Sequence, residues 1–252
     1  MKTKNLAAAI LTSLVILSCN SQKLQEEAAS VQEEASGVVE QTMAVTPVTS
    51  ETSRFQRTIK LDNGFEIQVG EEEDFERFKT YSLFRLTRNG TEIYVDSSLT
   101  EYEFGDKLYP MVLPLGREKF EVLVEVNDRP SKNYLKLLRI KNNKLIDIQQ
   151  LPTFISQASN LDNDAELELA GYFDYPQVWG NDNGDEVTAY NPILFYQLTK
   201  EGVKLDSTLT IDRNKVIYGA FHGFNFSEAI EVLISTSEKH NAEVRRIEAK
   251  KE

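Results

Sequence analysis

The sequence predicts an all-β fold: a propeller-like or stacked antiparallel β-meander of three to four repeat units, with a C-terminal helix. Three observations predict it. Thirteen Phe and ten Tyr stand against three Met and one Trp, and aromatic residues favour pleated strands over helical bundles. Three segments share one pattern of apolar strand, two-residue turn, second strand, then Asp, polar residues and Leu. Each of the three is preceded by a further strand with alternating or continuous apolar residues.

The repeated segments are YSLFRLTRNGTEIYVDSSLT (81–100), YLKLLRIKNNKLIDIQQL (134–151) and PILFYQLTKEGVKLDSTLT (192–210). Their turn pairs are Asn89–Gly90, Asn142–Asn143 and Glu201–Gly202. Asn and Gly tolerate the positive φ that tight hairpins need. Anchored on Leu86, Ile140 and Leu198, the units lie 54 and 58 residues apart. The preceding strands are FEIQV (65–69), KFEVLVEV (119–126) and ELELAGY (166–172). Three strands per unit at this spacing suit propeller blades, although a closed ring usually needs four or more. The alternative is a two-sheet sandwich with hairpins that look alike by chance.

Beyond the third unit, KVIYGAFHGF (215–224) reads as a strand and loop. Ile230, Leu233, Ser237, Val244 and Ile247 then recur near helical spacing, with Ser227 as N-cap and Glu228 and Glu231 in the first turn. A strand through IEVLIS is the competing reading.

The chain divides into three parts. Residues 1–18 begin with Lys2 and Lys4 and continue into LAAAILTSLVIL, twelve residues that are too few to span a bilayer comfortably. Leu17, Ser18 and Cys19 follow. This segment resembles a bacterial lipoprotein signal. The resemblance implies cleavage before Cys19, a diacylglyceryl thioether on its sulfur and an acylated amino terminus. Each buried CH₂ adds roughly 0.8 kcal/mol to anchoring. Residues 19–54 hold no aromatic side chain and are rich in Glu, Gln, Ala, Ser, Thr and Val. Such a segment buries too little apolar surface to offset its own ordering, so it reads as an acidic spacer. Residues 55–252 form the globular domain. The implied location is a Gram-negative cell envelope, lipid-anchored at the outer membrane.

Composition excludes several functions. The formal charge is −12, which argues against nucleic-acid binding. A single cysteine allows no internal disulfide and no paired-thiolate zinc site. His222 and His240 are the only histidines and lack metal-ligand spacing. His222 reads as a packed loop residue. No glycine-rich phosphate loop, nucleophile elbow or His-Glu-x-x-His is present, and no catalytic residue is assigned.

Two stretches remain as candidate sites. In NLDNDAELEL, Asn160, Asp162, Asp164 and Glu168 occupy positions one, three, five and nine. Alternate oxygens on a tight turn converge, as a hard cation requires. The stretch resembles the calcium loops of FG-GAP propeller repeats, which implies these four residues as calcium ligands. It departs from them in having Asn at position one and Ala165 at position six, where glycine is usual. The plain alternative is a polar turn whose side chains bond their own backbone. The second stretch, GYFDYPQVWGNDNGDE (171–186), sets Tyr172, Tyr175 and Trp179 beside acids and amides. Such surfaces hold glycans or protein partners. The plain alternative is that Tyr172 and Phe173 end a core strand while Trp179 covers a loop. The partners implied are the lipid bilayer through Cys19 and an envelope protein or glycan.

Overall fold

The computed structural model describes residues 54–175 and 177–250. The signal segment, Cys19 and nearly all of the spacer lie outside the described residues. None of the described helices is long and apolar enough to cross a membrane.

Strands β1 (Phe55–Lys60), β2 (Phe65–Phe75), β3 (Phe78–Arg88) and β4 (Thr91–Asp96) open the domain. They are followed by β5 (Tyr102–Glu103), β6 (Met111–Gly116), β7 (Lys119–Val126), β8 (Tyr134–Lys141) and β9 (Lys144–Pro152). These nine form one sheet, ordered β1-β2-β3-β5-β7-β8-β9, with β4 on β3 and β6 on β7. All pairings are antiparallel. Next come β10 (Glu168–Gly171), β11 (Val178–Gly180), β12 (Glu186–Tyr190), β13 (Leu194–Thr199) and β14 (Gly202–Leu205). Helix α1 (Ser207–Tyr218), β15 (Ser227–Leu233) and α2 (Ile234–Ala249) complete the chain. Two three-stranded sheets result, β10-β13-β14 and β11-β12-β15.

The antiparallel meander and the C-terminal helix are present. Of the three repeat units, only the third forms a three-stranded sheet of its own, β10-β13-β14, among the described residues. The first two repeats fuse into one sheet, because β5 bridges β3 to β7. The sheet coils strongly enough to bring Phe65 on β2 within 5.2 Å of Phe120 on β7, ring centre to ring centre.

Period-two alternation along single strands builds the layers. On β7, Phe120, Val122, Val124 and Val126 enter a core shared with Phe65, Ile67 and Phe84. Leu123, between them, faces a second core with Leu135, Leu137, Leu194 and Tyr196. β13 repeats the device one layer on. Its Leu194 and Tyr196 join that second core, while Phe195 enters a third with Leu209 and Ile217 of α1 and Ile247 of α2. Each large side chain so buried contributes roughly 1.5–3 kcal/mol.

One charge sits inside this stack. Glu121 on β7 is 0% exposed. Its carboxylate accepts from Arg139 Nε on β8 at 2.8 Å and from the Val203 N–H on β14 at 2.8 Å. Gly202 must be glycine here: its φ is +124°, and a Cβ would collide with that carboxylate.

The hairpin turns at Asn89–Gly90 and Asn142–Asn143 have the positive φ expected, at 49° and 77° and at 52° and 56°. The third turn sits one residue earlier than expected, since Thr199 pairs with Gly202 and leaves Lys200–Glu201 at the tip. Residues 215–218 do not form a strand. They end α1, whose N-cap is Asp206: its side chain accepts the Leu209 N–H at 2.8 Å. Gly219 ends the helix at φ 78°. The C-terminal segment satisfies both competing readings in turn. Ser227 opens β15 rather than capping a helix, because Val187, Thr188 and Ala189 of β12 recruit Leu233, Val232 and Glu231 into a ladder. α2 begins only afterwards.

Candidate functional site

Tyr172 leaves the end of β10, Trp179 lies in β11, and Tyr175 stands between them. Tyr175 is 60% exposed, and it walls three cavities. The smallest, about 220 Å³, lies between Tyr172 and Tyr175 on one side and α2 on the other. A second, about 580 Å³, runs from Tyr175 to Trp179, with Glu228 and Glu231 of β15 on its rim. The third, about 400 Å³, joins Tyr175 to Glu125 near the end of β7 and to Arg129 and Lys132 of the β7–β8 loop. The fold thus places the three aromatic residues singled out by the sequence along two cavities that share Tyr175. Trp179 is fixed there by an indole N–H donated to Glu231 Oε1 at 3.1 Å. Tyr172 is held edge-on by His240, ring centres 5.1 Å apart. Lys132 Nζ lies 4.7 Å from the centre of the Tyr172 ring.

Burial sets the ionisation of this region. Lys132, donating to the Thr153 carbonyl and hydroxyl, is lowered to about 8 by loss of solvent. Glu125 is raised by the same cause, against the Asn133 amide that bonds it. The His240 imidazole is pushed below its ordinary value by burial. His222 is an exposed loop residue rather than a packed one; its ring stands edge-on to Tyr190, centres 5.1 Å apart.

The small cavity holds a signal that sequence reasoning missed. Thr188 on β12, Asn191 just after it, and His240 on α2 are 3%, 1% and 8% exposed, and all three line the cavity. Thr188 Oγ1, Asn191 Oδ1 and His240 Nε2 have no hydrogen-bond partner among the described residues. Buried polar atoms are nearly always paired, and leaving one unpaired costs roughly 1–3 kcal/mol.

In the acidic loop, one carboxylate oxygen from each of Asp162, Asp164 and Glu168 lies within 4.8 Å of the others. Asn160 bonds within the loop. Its Oδ1 accepts the Asn163 N–H at 2.5 Å, and its Nδ2 donates to the Asp164 carbonyl. Asp162 and Asp164 each spend one oxygen on a local N–H, from Asp164 and Glu166 respectively. The left-handed residue is Asn163, φ 70°, at position four, so Ala165 meets no strain. Glu168 is 1% exposed. Its Oε2 accepts the Leu161 N–H at 2.6 Å, while Oε1 has no partner among the described residues. Burial raises its pKa, opposed by the Leu161 N–H and reinforced by Asp162 and Asp164. The loop therefore gathers three carboxylates, one of which carries a buried oxygen with no partner among the described residues.

No family model, no curated protein and no solved structure matches this chain.

Proposed function

We propose that the protein is a membrane-tethered binding module of a Gram-negative cell envelope, held at the outer membrane by acyl chains on Cys19. The anchor rests on the sequence alone: the chain's one cysteine stands directly after Leu17–Ser18 and a basic, then apolar, leader. The binding role rests on a single observation, that exposed Tyr175 walls three adjoining cavities. The module acts by presenting this rigid face to an envelope partner, without bond making or breaking. The test is fractionation paired with capture. Wild-type protein sediments with membranes and Cys19→Ser does not. Wild-type protein retains an envelope component that Tyr175→Ala releases. A Cys19→Ser protein still in the membrane fraction with an unmodified amino terminus removes the tether, and equal retention by Tyr175→Ala removes the face.

A second reading makes the partner a glycan. It is favoured by Tyr172 and Tyr175 standing beside unpaired buried polar atoms, with Trp179 on the adjoining cavity, an arrangement suited to a ring with one apolar and one hydroxylated aspect. Glycan retention lost in Trp179→Ala is the expected outcome.

The acidic loop is an accessory calcium site in this reading. Asp162, Asp164 and Glu168 hold the ion, which supplies positive charge to a buried carboxylate and tightens the entry to β10.

A further inference from the structure

The small cavity beneath α2 differs from the face around it in one respect: its floor is polar, buried and unpaired. Two of its unpaired atoms, Thr188 Oγ1 and Asn191 Oδ1, come from β12 and the residue following it. The third, His240 Nε2, comes from α2 opposite. Asn191 is not free to turn away, because its Nδ2 donates to the Asp174 carbonyl at 2.8 Å and its own carbonyl accepts from Tyr218 OH at 2.5 Å. His240 is held by its contact with Tyr172. The unpaired atoms are therefore fixed in place, as a recognition site needs.

Their chemistry narrows the ligand. Apart from the imidazole, no acidic or basic side chain is among the cavity's described walls. Burial favours the neutral imidazole. A phosphate, carboxylate or ammonium entering would lose hydration and meet no counter-charge, which is costly in a low-dielectric site. An apolar ligand would leave all three atoms unpaired. Asn191 Oδ1 only accepts, whereas a threonine hydroxyl and a neutral imidazole can each donate or accept. Hydroxyl groups on a ligand can serve every one of these combinations. Tyr172, Tyr175 and Tyr218 supply flat apolar walls.

We propose that this cavity is the end subsite of a saccharide site: it takes one neutral sugar ring, and the rest of the glycan runs outward past Tyr175 towards Trp179. A volume of about 220 Å³ admits one ring rather than a chain, and the larger cavity shares the Tyr175 wall with it. Ring hydroxyls pair with Thr188, Asn191 and His240. This rests on the glycan reading above and makes it specific, since a chain is then recognised by its terminal residue.

The test uses the full chain in detergent. Glucose, galactose, mannose and N-acetylglucosamine are titrated by calorimetry, together with their trisaccharides of β-1,4 or α-1,4 linkage. Glucuronate and glucosamine serve as charged controls. At least one neutral monosaccharide binds, and Thr188→Val weakens it about tenfold, the loss of one buried hydrogen bond. Trp179→Ala weakens the matching trisaccharide and leaves the monosaccharide unchanged. In the native chain, nuclear magnetic resonance shows the His240 ring shifted by the bound sugar and the His222 ring unshifted. That signal decides the matter if Thr188→Val does not fold. Trisaccharide binding that depends on Trp179, but moves neither Thr188→Val affinity nor the His240 signal, overturns the end subsite and leaves the glycan face standing. Charged sugars binding as tightly as neutral ones overturn the neutral selectivity. Absence of binding by every sugar in the panel overturns both readings.

Discussion

The two helices are seated on their sheets in opposite ways. α1 lies against β13 through polar groups that are all satisfied. Asn214 is buried, yet its Oδ1 accepts the Ile193 N–H at 3.0 Å and its Nδ2 donates to the Ile193 and Thr210 carbonyls at 2.7 Å. Thr210 Oγ1 accepts the Phe195 N–H at 3.0 Å. α2 lies against β12 and β15 with Thr188, Asn191 and His240 partly or wholly unpaired. A threonine and an asparagine occur in both interfaces, so these residue types do not distinguish them. The difference is that α1 completes its contact from within the chain, whereas the contact at α2 has capacity left over. One seat is built for stability and the other for something that arrives.

Substitutions can break this contrast. The largest effect is expected at Asn214. Asn214→Leu leaves the Ile193 N–H and carbonyl buried without partners, at roughly 1–3 kcal/mol each, or about 3 kcal/mol together. Urea unfolding should show it as a lower midpoint; an unchanged midpoint would mean the α1 seat does not depend on this clamp.

Next comes Glu168, whose Oε1 is buried without a partner among the described residues. Calcium at a hundred times its dissociation constant should stabilise the chain by about 2.7 kcal/mol, read as a rise in Tm. Glu168→Gln should abolish that rise. Because the folded-state pKa of Glu168 is raised, its charge opposes folding above the ordinary carboxylate range, and the penalty is relieved as pH falls. Without calcium, Glu168→Gln should therefore be as stable as wild type at neutral pH, or more so. A calcium response that survives the substitution places the ion elsewhere.

His240 gives a smaller effect with a defined sign. Its folded-state pKa is lowered, so the unfolded chain takes up the proton first. Stability is complete above the ordinary value of about 6.5 and declines below it, by at most about 1.4 kcal/mol per pH unit. His240→Gln should flatten that part of the Tm–pH curve, leaving the carboxylate contribution at lower pH. An identical slope in both proteins would locate the titration at other groups.

The smallest change sharpens the comparison most directly. Thr188→Val removes an unpaired hydroxyl and should be neutral or stabilising by up to about 1 kcal/mol, whereas Thr210→Val should cost about 1–3 kcal/mol by orphaning the Phe195 N–H. Equal losses at the two positions would mean the seats are alike.

How much of this could be read beforehand depends on where the apolar residues fall. β7 and the hairpins were legible because alternation writes the strand directly into the sequence. α1 was not, because its buried face is Leu209, Thr210, Asn214 and Ile217. Two of those four are polar, and they hide the helical period. The motif DSTLT added to the difficulty. In the first unit, DSSLT makes a local turn, Ser98 N–H to Asp96 Oδ1 at 2.9 Å, and no helix follows. In the third, the matching Asp206 caps one. What decides is the chain beyond: Tyr102 and Glu103 pair with β3 and β7, while residues after Thr210 have no strand to join. The aromatic cluster could be found because Tyr172, Tyr175 and Trp179 are close in sequence. Thr188 and His240 lie 52 positions apart, and only the seating of α2 on β12 brings Thr188, Asn191 and His240 together. Asn160 shows a related limit: spacing does not reveal that its amide bonds its own loop.

Glu121 has a wider consequence. Its carboxylate is bonded both to the second repeat and to the third, and it lies deep inside neither alone. Pulling the third repeat away would break the Val203 N–H bond to this carboxylate and leave it with Arg139 alone, so parting the two repeats costs a buried, charge-assisted hydrogen bond. The globular body should consequently lose its structure in one concerted step, with amides of β7 and β14 exchanging their hydrogens at the same slow rate.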